Sequence, residues 1–130
     1  MKTSTVWKHE QVFESSQGEN KVLVDGNATE GISPKALLLS GLSGCSGIDV
    51  VDILKKKRVE FSDFSVEAET EQTDVHPRHF KDIYLTFSLK TDPSNEQKVR
   101  SAIELSLEKY CGVAAMLKKN SEIHYELNIR

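Results

Sequence analysis

Ser33-Pro34-Lys35-Ala36-Leu37-Leu38-Leu39-Ser40-Gly41-Leu42-Ser43-Gly44-Cys45-Ser46-Gly47-Ile48-Asp49-Val50-Val51 is the part of the chain around which the rest must be arranged. Serine followed by proline reads as a helix N-cap and a first helical residue whose missing N–H costs nothing. The apolar positions after it carry a helix from Pro34 to about Arg58, close to 37 Å at 1.5 Å per residue, long enough to span a small domain. Gly41, Gly44 and Gly47 each cost about 1 kcal/mol against alanine inside a helix. Either the helix kinks there, or the small residues admit a second backbone or a ligand, and close helix packing is the reading taken. By i, i+3, i+4 spacing, Leu38, Gly41, Leu42, Cys45, Ile48 and Asp49 fall on one face, so the Cys45 thiol looks toward whatever the glycines admit. The run Lys55 to Arg58 is a solvated end that complements the helix dipole.

At 130 residues the chain is expected to be a single domain, residues 1–130. Its 38% hydrophobic content makes a modest core that would gain from a partner surface. A net charge of −3 gives no broad attraction to a phosphate backbone or an anionic membrane, so neither nucleic acid nor membrane is an expected partner. Apolar runs fall short of the roughly 20 residues that cross a bilayer. Met1 to Glu10 has no apolar stretch of the secretory kind, which leaves a cytoplasmic address as the expectation. Two cysteines, Cys45 and Cys111, are too few for a disulfide scaffold or a thiolate zinc site. In a reducing compartment they are either buried small hydrophobes or a redox pair.

On the amino-terminal side, Val6 to Phe13 and Asn20 to Asp25 are rich in β-formers and separated by turn residues, which predicts a hairpin. On the other side, Phe64, Val66, Ala68 and Thr70 alternate with polar residues, as do Ile83, Leu85, Phe87 and Leu89, so two strands each bury one face. The loop between them holds His76 and His79, but no third ligand is spaced to close a metal site. His9 and His124 fall in predicted strands as surface or satisfied residues. Asp92-Pro93 opens a second helix with Val99, Ala102, Ile103, Ser106, Leu107 and Tyr110 inward, ending near Cys111-Gly112. Val113 to Leu117 restarts a turn or two of helix, where the dipole is expected to lower the Cys111 pKa. Ile123, Tyr125, Leu127 and Ile129 alternate as a last strand. The predicted class is α+β, in the order β-β-α-β-β-α-β.

The helix segment quoted above, together with Glu108-Lys109-Tyr110-Cys111-Gly112-Val113-Ala114, resembles the osmotically inducible protein C and organic hydroperoxide resistance (OsmC/Ohr) family. The likeness runs from about Val6 to Ile129. It implies an OsmC-like intertwined homodimer with two central helices and active sites at the interface. The family's members are thiol-dependent peroxidases, so the resemblance implies reduction of organic hydroperoxides in oxidative stress defence. By position, Cys45 would be the peroxidatic thiolate that becomes a sulfenic acid, and Cys111 would resolve it as a disulfide. An external dithiol, lipoylated in the better-studied branch, would restore the pair. No metal, haem or flavin is implied.

The hydroperoxide-resistance branch has a Glu after the helix-starting proline and pairs it with an Arg from the amino-terminal strands. This sequence has Lys35 there and no Arg before Arg58. Lys35, Lys109 and Asp49 are the charged candidates left to tune the thiols. The sequence thus fits a less characterised branch, and its alternative function is a non-catalytic module that binds a small hydrophobic ligand at the dimer interface.

Overall fold

The predicted amino-terminal hairpin proves to be three strands, β1 (Ser4–His9), β2 (Val12–Gln17) and β3 (Asn20–Asp25), in an antiparallel meander. The stretch from Val6 to Phe13 is broken at Glu10, which adopts φ 45° while its carbonyl accepts the Trp7 indole N–H at 2.9 Å. The β2–β3 turn needs only Gly18 and Glu19, and Gly18 takes φ 60°, the left-handed conformation that a two-residue hairpin loop requires. The carboxylate of Asp25 then gathers the N–H groups of Asn27, Thr29 and Glu30 and the Thr29 hydroxyl, at 2.8 to 3.2 Å. These donors hold its pKa down at about 2.

The computed structural model describes all 130 residues, which separate into two units, Met1–Leu39 with the meander and Ser40–Arg130 with the remaining elements. Helix α1 (Pro34–Lys56) runs through its three glycines without a break. It ends two residues before the predicted Arg58, because Arg58 turns to φ 56°. The Arg58 N–H then bonds to Lys55 O and the Val59 N–H to Leu54 O, both at 3.0 Å, closing a Schellman-type terminus.

Within Ser40–Arg130, β4 (Ser62–Gln72) and β5 (Phe80–Lys90) pair antiparallel, and β6 (Ile123–Ile129) adds parallel to β5. A parallel neighbour demands a crossover. It consists of a 3₁₀ turn (Pro93–Asn95), α2 (Glu96–Leu105), a π-helical turn (Ser106–Tyr110) and α3 (Gly112–Leu117). Asp92 caps the start as expected, its carboxylate accepting the Ser94 N–H at 2.9 Å. The fold is α+β as predicted, with a third amino-terminal strand added to the expected order, and α3 is the short helix expected over Val113 to Leu117. The core comprises Leu42, Val50 and Leu54 from α1, Ile83, Leu85, Phe87 and Leu89 from β5, and Val99, Ala102 and Ile103 from α2. Phe87 stacks on Phe64 at 6.4 Å and meets Tyr125 edge-on at 6.2 Å.

The face that α1 buries differs from the one predicted. It is the i, i+4 row Leu42, Ser46, Val50 and Leu54, whereas Leu38 and Ile48 are exposed, Ile48 at 65%. A Cβ added at Gly47 would meet Val66 and Phe64 at ordinary contact distance, while Gly41 and Gly44 face open space. By length and composition alone α1 could also cross a bilayer, contrary to the reading of short apolar runs. The row from Leu42 to Leu54 nevertheless packs inside its own unit.

Candidate functional site

The two cysteines, remote in sequence, lie near enough for the Cys45 thiol to act on that of Cys111. Cys45 is half-buried near the middle of α1 and Cys111 is buried between the π-helical turn and α3, and neither is in a disulfide. Cys111 is the N-cap of α3, and its Sγ accepts the Ala114 N–H at 3.3 Å. Its pKa is nonetheless raised to about 11. Burial is the largest cause, and the neighbouring Cys45 thiol raises it further by hydrogen bonding and by charge. The N–H groups of Ala114 and Val113 pull the other way and lose. This corrects the expectation that the helix terminus lowers the Cys111 pKa: a thiol that is 4% exposed is set by desolvation.

Beside the thiols lies a polar cluster that sequence reasoning did not assemble. The Ser106 hydroxyl is 2.9 Å from Ser46 Oγ and 2.9 Å from Asp49 Oδ2. Ser46 and Ser106 are fully buried. Ser106 also opens the π-helical turn, and its carbonyl accepts the Cys111 N–H at 2.8 Å. The turn leaves the Leu107 carbonyl to the Lys118 ammonium. Tyr110, predicted to face inward, is 55% exposed and lies against its neighbour Lys109, whose ammonium is 5.3 Å from the ring centroid.

His9, His79 and His124 have partners of their own. His79 Nδ1 lies 3.0 Å from the Pro77 carbonyl in the β4–β5 loop. His9 pairs with Glu30 at 2.8 Å. Asp82, Glu122 and His124 do bring ligand-type atoms within 4.8 Å of one another on the outer face of the sheet. They already satisfy each other, with His124 at 3.3 Å from Asp82 and 3.6 Å from Glu122 and its ring stacked on Tyr84.

Residues 25–126 match the family described as OsmC-like protein. The chain belongs to the OsmC-like family. It is 38% identical over 117 residues to Protein YhfA of Escherichia coli K12, a match covering 89% of this chain and 87% of that protein. A hypothetical protein from Aquifex aeolicus has a similar structure, with a TM-score of 0.85, 28% identity and coverage of 99% of this chain and 96% of that one. An organic hydroperoxide resistance protein from Elizabethkingia anophelis shares the fold, with a TM-score of 0.72, 14% identity and coverage of 98% and 94%. The OsmC-like fold is therefore common to relatives whose names carry the hydroperoxide theme and to relatives with no stated activity.

Proposed function

We propose that this OsmC-like protein is a thiol-dependent reductase of organic hydroperoxides, with Cys45 as peroxidatic and Cys111 as resolving cysteine. The observation that carries the reading is the adjacency of the two free thiols, with burial and Cys45 together holding Cys111 protonated. The pair is therefore asymmetric, and the half-buried Cys45 is the member placed to meet a substrate.

In the first step the Cys45 thiolate attacks the O–O bond of ROOH. One oxygen stays on sulfur as the sulfenic acid, and RO⁻ leaves and takes a proton to become ROH. Cys111 then attacks the Cys45 sulfur, expelling water and forming the disulfide. An external dithiol opens that bond by exchange through a mixed disulfide and departs oxidised. Atoms and electrons balance as ROOH plus dithiol giving ROH, water and the cyclic disulfide, so the protein itself needs no metal or organic cofactor. Consumption of an organic hydroperoxide with a dithiol by the purified protein, abolished in Cys45→Ser, tests the reading. Persistence of the activity in Cys45→Ser removes it.

The working form in this proposal is a homodimer. Val6, Trp7, Val22 and Leu23 on the meander and Ile48 and Met116 on the larger unit are exposed apolar side chains. In this proposal these side chains belong to the surface that a second subunit covers. The open space beside Gly41 and Gly44 leaves room for a second backbone.

One observation favours the second reading, a non-catalytic binding module. An apolar groove of about 490 Å³ runs between α1 and β4, lined by Gly44, Gly47, Ile48, Val51, Phe64 and Val66. Binding of a small hydrophobic ligand that survives Cys45→Ser, in a protein that leaves peroxide untouched, selects this alternative.

A further inference from the structure

Ser106 is bonded at both ends, and each end leads to one of the two cysteines. Its hydroxyl reaches the α1 turn that carries Cys45, lying 2.9 Å from Ser46 Oγ and 2.9 Å from Asp49 Oδ2. Ser46 follows Cys45 directly, and Asp49 is one helical turn further on, on the same side. At the other end, the Ser106 carbonyl accepts the N–H of Cys111 at 2.8 Å, across the π-helical turn. A serine hydroxyl has one proton and two lone pairs. That one proton has two acceptors in reach, Ser46 Oγ and Asp49 Oδ2, each 2.9 Å away, and the Ser106 hydroxyl is the donor shared between them. No buried side-chain oxygen of the cluster is left without a partner, and both serines are shut off from water. Single-turn π insertions inside helices concentrate at functional sites, and here the insertion ends on a cysteine.

We infer that Ser106 is a positioning residue: anchored by Asp49 and Ser46, it fixes the distance and register of the Cys111 thiol against Cys45 and so sets how readily the pair closes to a disulfide. The inference deepens the proposed redox reading and rests on its thiol pair, though not on peroxide being the oxidant. A loss of fit of about 1 Å lowers an intramolecular effective concentration by about tenfold or more. Two hydrogen bonds that lock one side chain between helices are the kind of support that prevents such a loss.

The experiment equilibrates the full-length protein in glutathione redox buffers and quantifies the Cys45–Cys111 disulfide by acid quench and mass spectrometry. The wild type is compared with Ser106→Ala, Asp49→Ala and Asp49→Asn, with thermal unfolding of each recorded in parallel. Ser106→Ala and Asp49→Ala are expected to lower the effective concentration of the pair by about tenfold. Asp49→Asn keeps an oxygen to accept the Ser106 proton and is expected to stay within about twofold of wild type. Where Ser106→Ala does not fold, the contrast between Asp49→Ala and Asp49→Asn decides alone. A merely structural role lowers the melting temperature in the alanine variants and leaves the disulfide equilibrium of the folded protein where it was, which overturns the inference. Variants that match wild type in a protein that consumes hydroperoxide sink the positioning role alone. Variants that shift the equilibrium in a protein inert to hydroperoxide sink the peroxidase reading alone. A wild type that forms no such disulfide sinks both.

Discussion

The Ala114 N–H donates to Cys111 Sγ at 3.3 Å, yet the thiol it touches has a pKa of about 11. The backbone donors Ala114 and Val113 do not offset burial together with a neighbouring sulfur. The consequence is measurable in the reduced protein. Between pH 7 and 8, iodoacetamide is expected to modify Cys45 and to spare Cys111, which reacts only near its own pKa or after unfolding. Peptide mass spectrometry over a pH series reads both sites at once, and equal modification at pH 7.5 contradicts the asymmetry.

The same asymmetry separates the two cysteine variants kinetically. Cys45→Ser is expected to lose hydroperoxide reduction altogether, a drop of at least about a hundredfold for removal of a nucleophile. Cys111→Ser is expected to consume about one equivalent and stop, with Cys45 trapped as sulfenic acid or beyond. Single-turnover peroxide assays with a sulfenic-acid probe distinguish the two behaviours.

Dimerisation is tested on the surface of α1. Ile48 is 65% exposed in the single chain. Ile48→Glu would place a charge into any apolar interface formed there, and the desolvation costs several kcal/mol unless the charge is paired. Sedimentation equilibrium is expected to show a dimer for wild type and a shift toward monomer for the variant. Identical masses would mean that Ile48 lies outside the interface.

Asp25 gives a pH signature for the amino-terminal unit. Its pKa is about 2 when folded, against an ordinary 3.8, because Glu30, Asn27 and Thr29 donate to the carboxylate. A depressed folded pKa contributes stability above the unfolded value and loses it as pH falls from about 4 toward 2. Chemical denaturation is expected to show wild type weakening across that window. Asp25→Asn should be weaker at pH 7 and flatter below pH 4. Parallel curves for the two proteins contradict the role assigned to this turn.

Much of this was legible in the sequence where one local rule acted alone. Ser33-Pro34 marked the start of α1, the period-two alternation gave β4, β5 and β6, and Asp92 announced its cap. The break after β1 is hidden because Glu10 is neither glycine nor asparagine, and its turn is held by a local side-chain bond from the Trp7 indole. The buried row of α1 was misjudged at Ser46, which reads as polar but is buried because Ser106 arrives from another helix to bond it. The π-helical turn has no composition signal, since it differs from α only in which carbonyl the Cys111 N–H selects. Both cysteines were identified as a pair through family resemblance and their local motifs. The reversed direction of the Cys111 pKa came from burial, which a helix-terminus argument does not contain.

The most direct test treats the reduced wild-type protein with one equivalent of an organic hydroperoxide and maps the product by non-reducing peptide mass spectrometry. The account expects a peptide pair joined through Cys45 and Cys111, lighter by two hydrogen atoms and restored by a dithiol. Recovery of both cysteines as free thiols, with the hydroperoxide unconsumed, would contradict it.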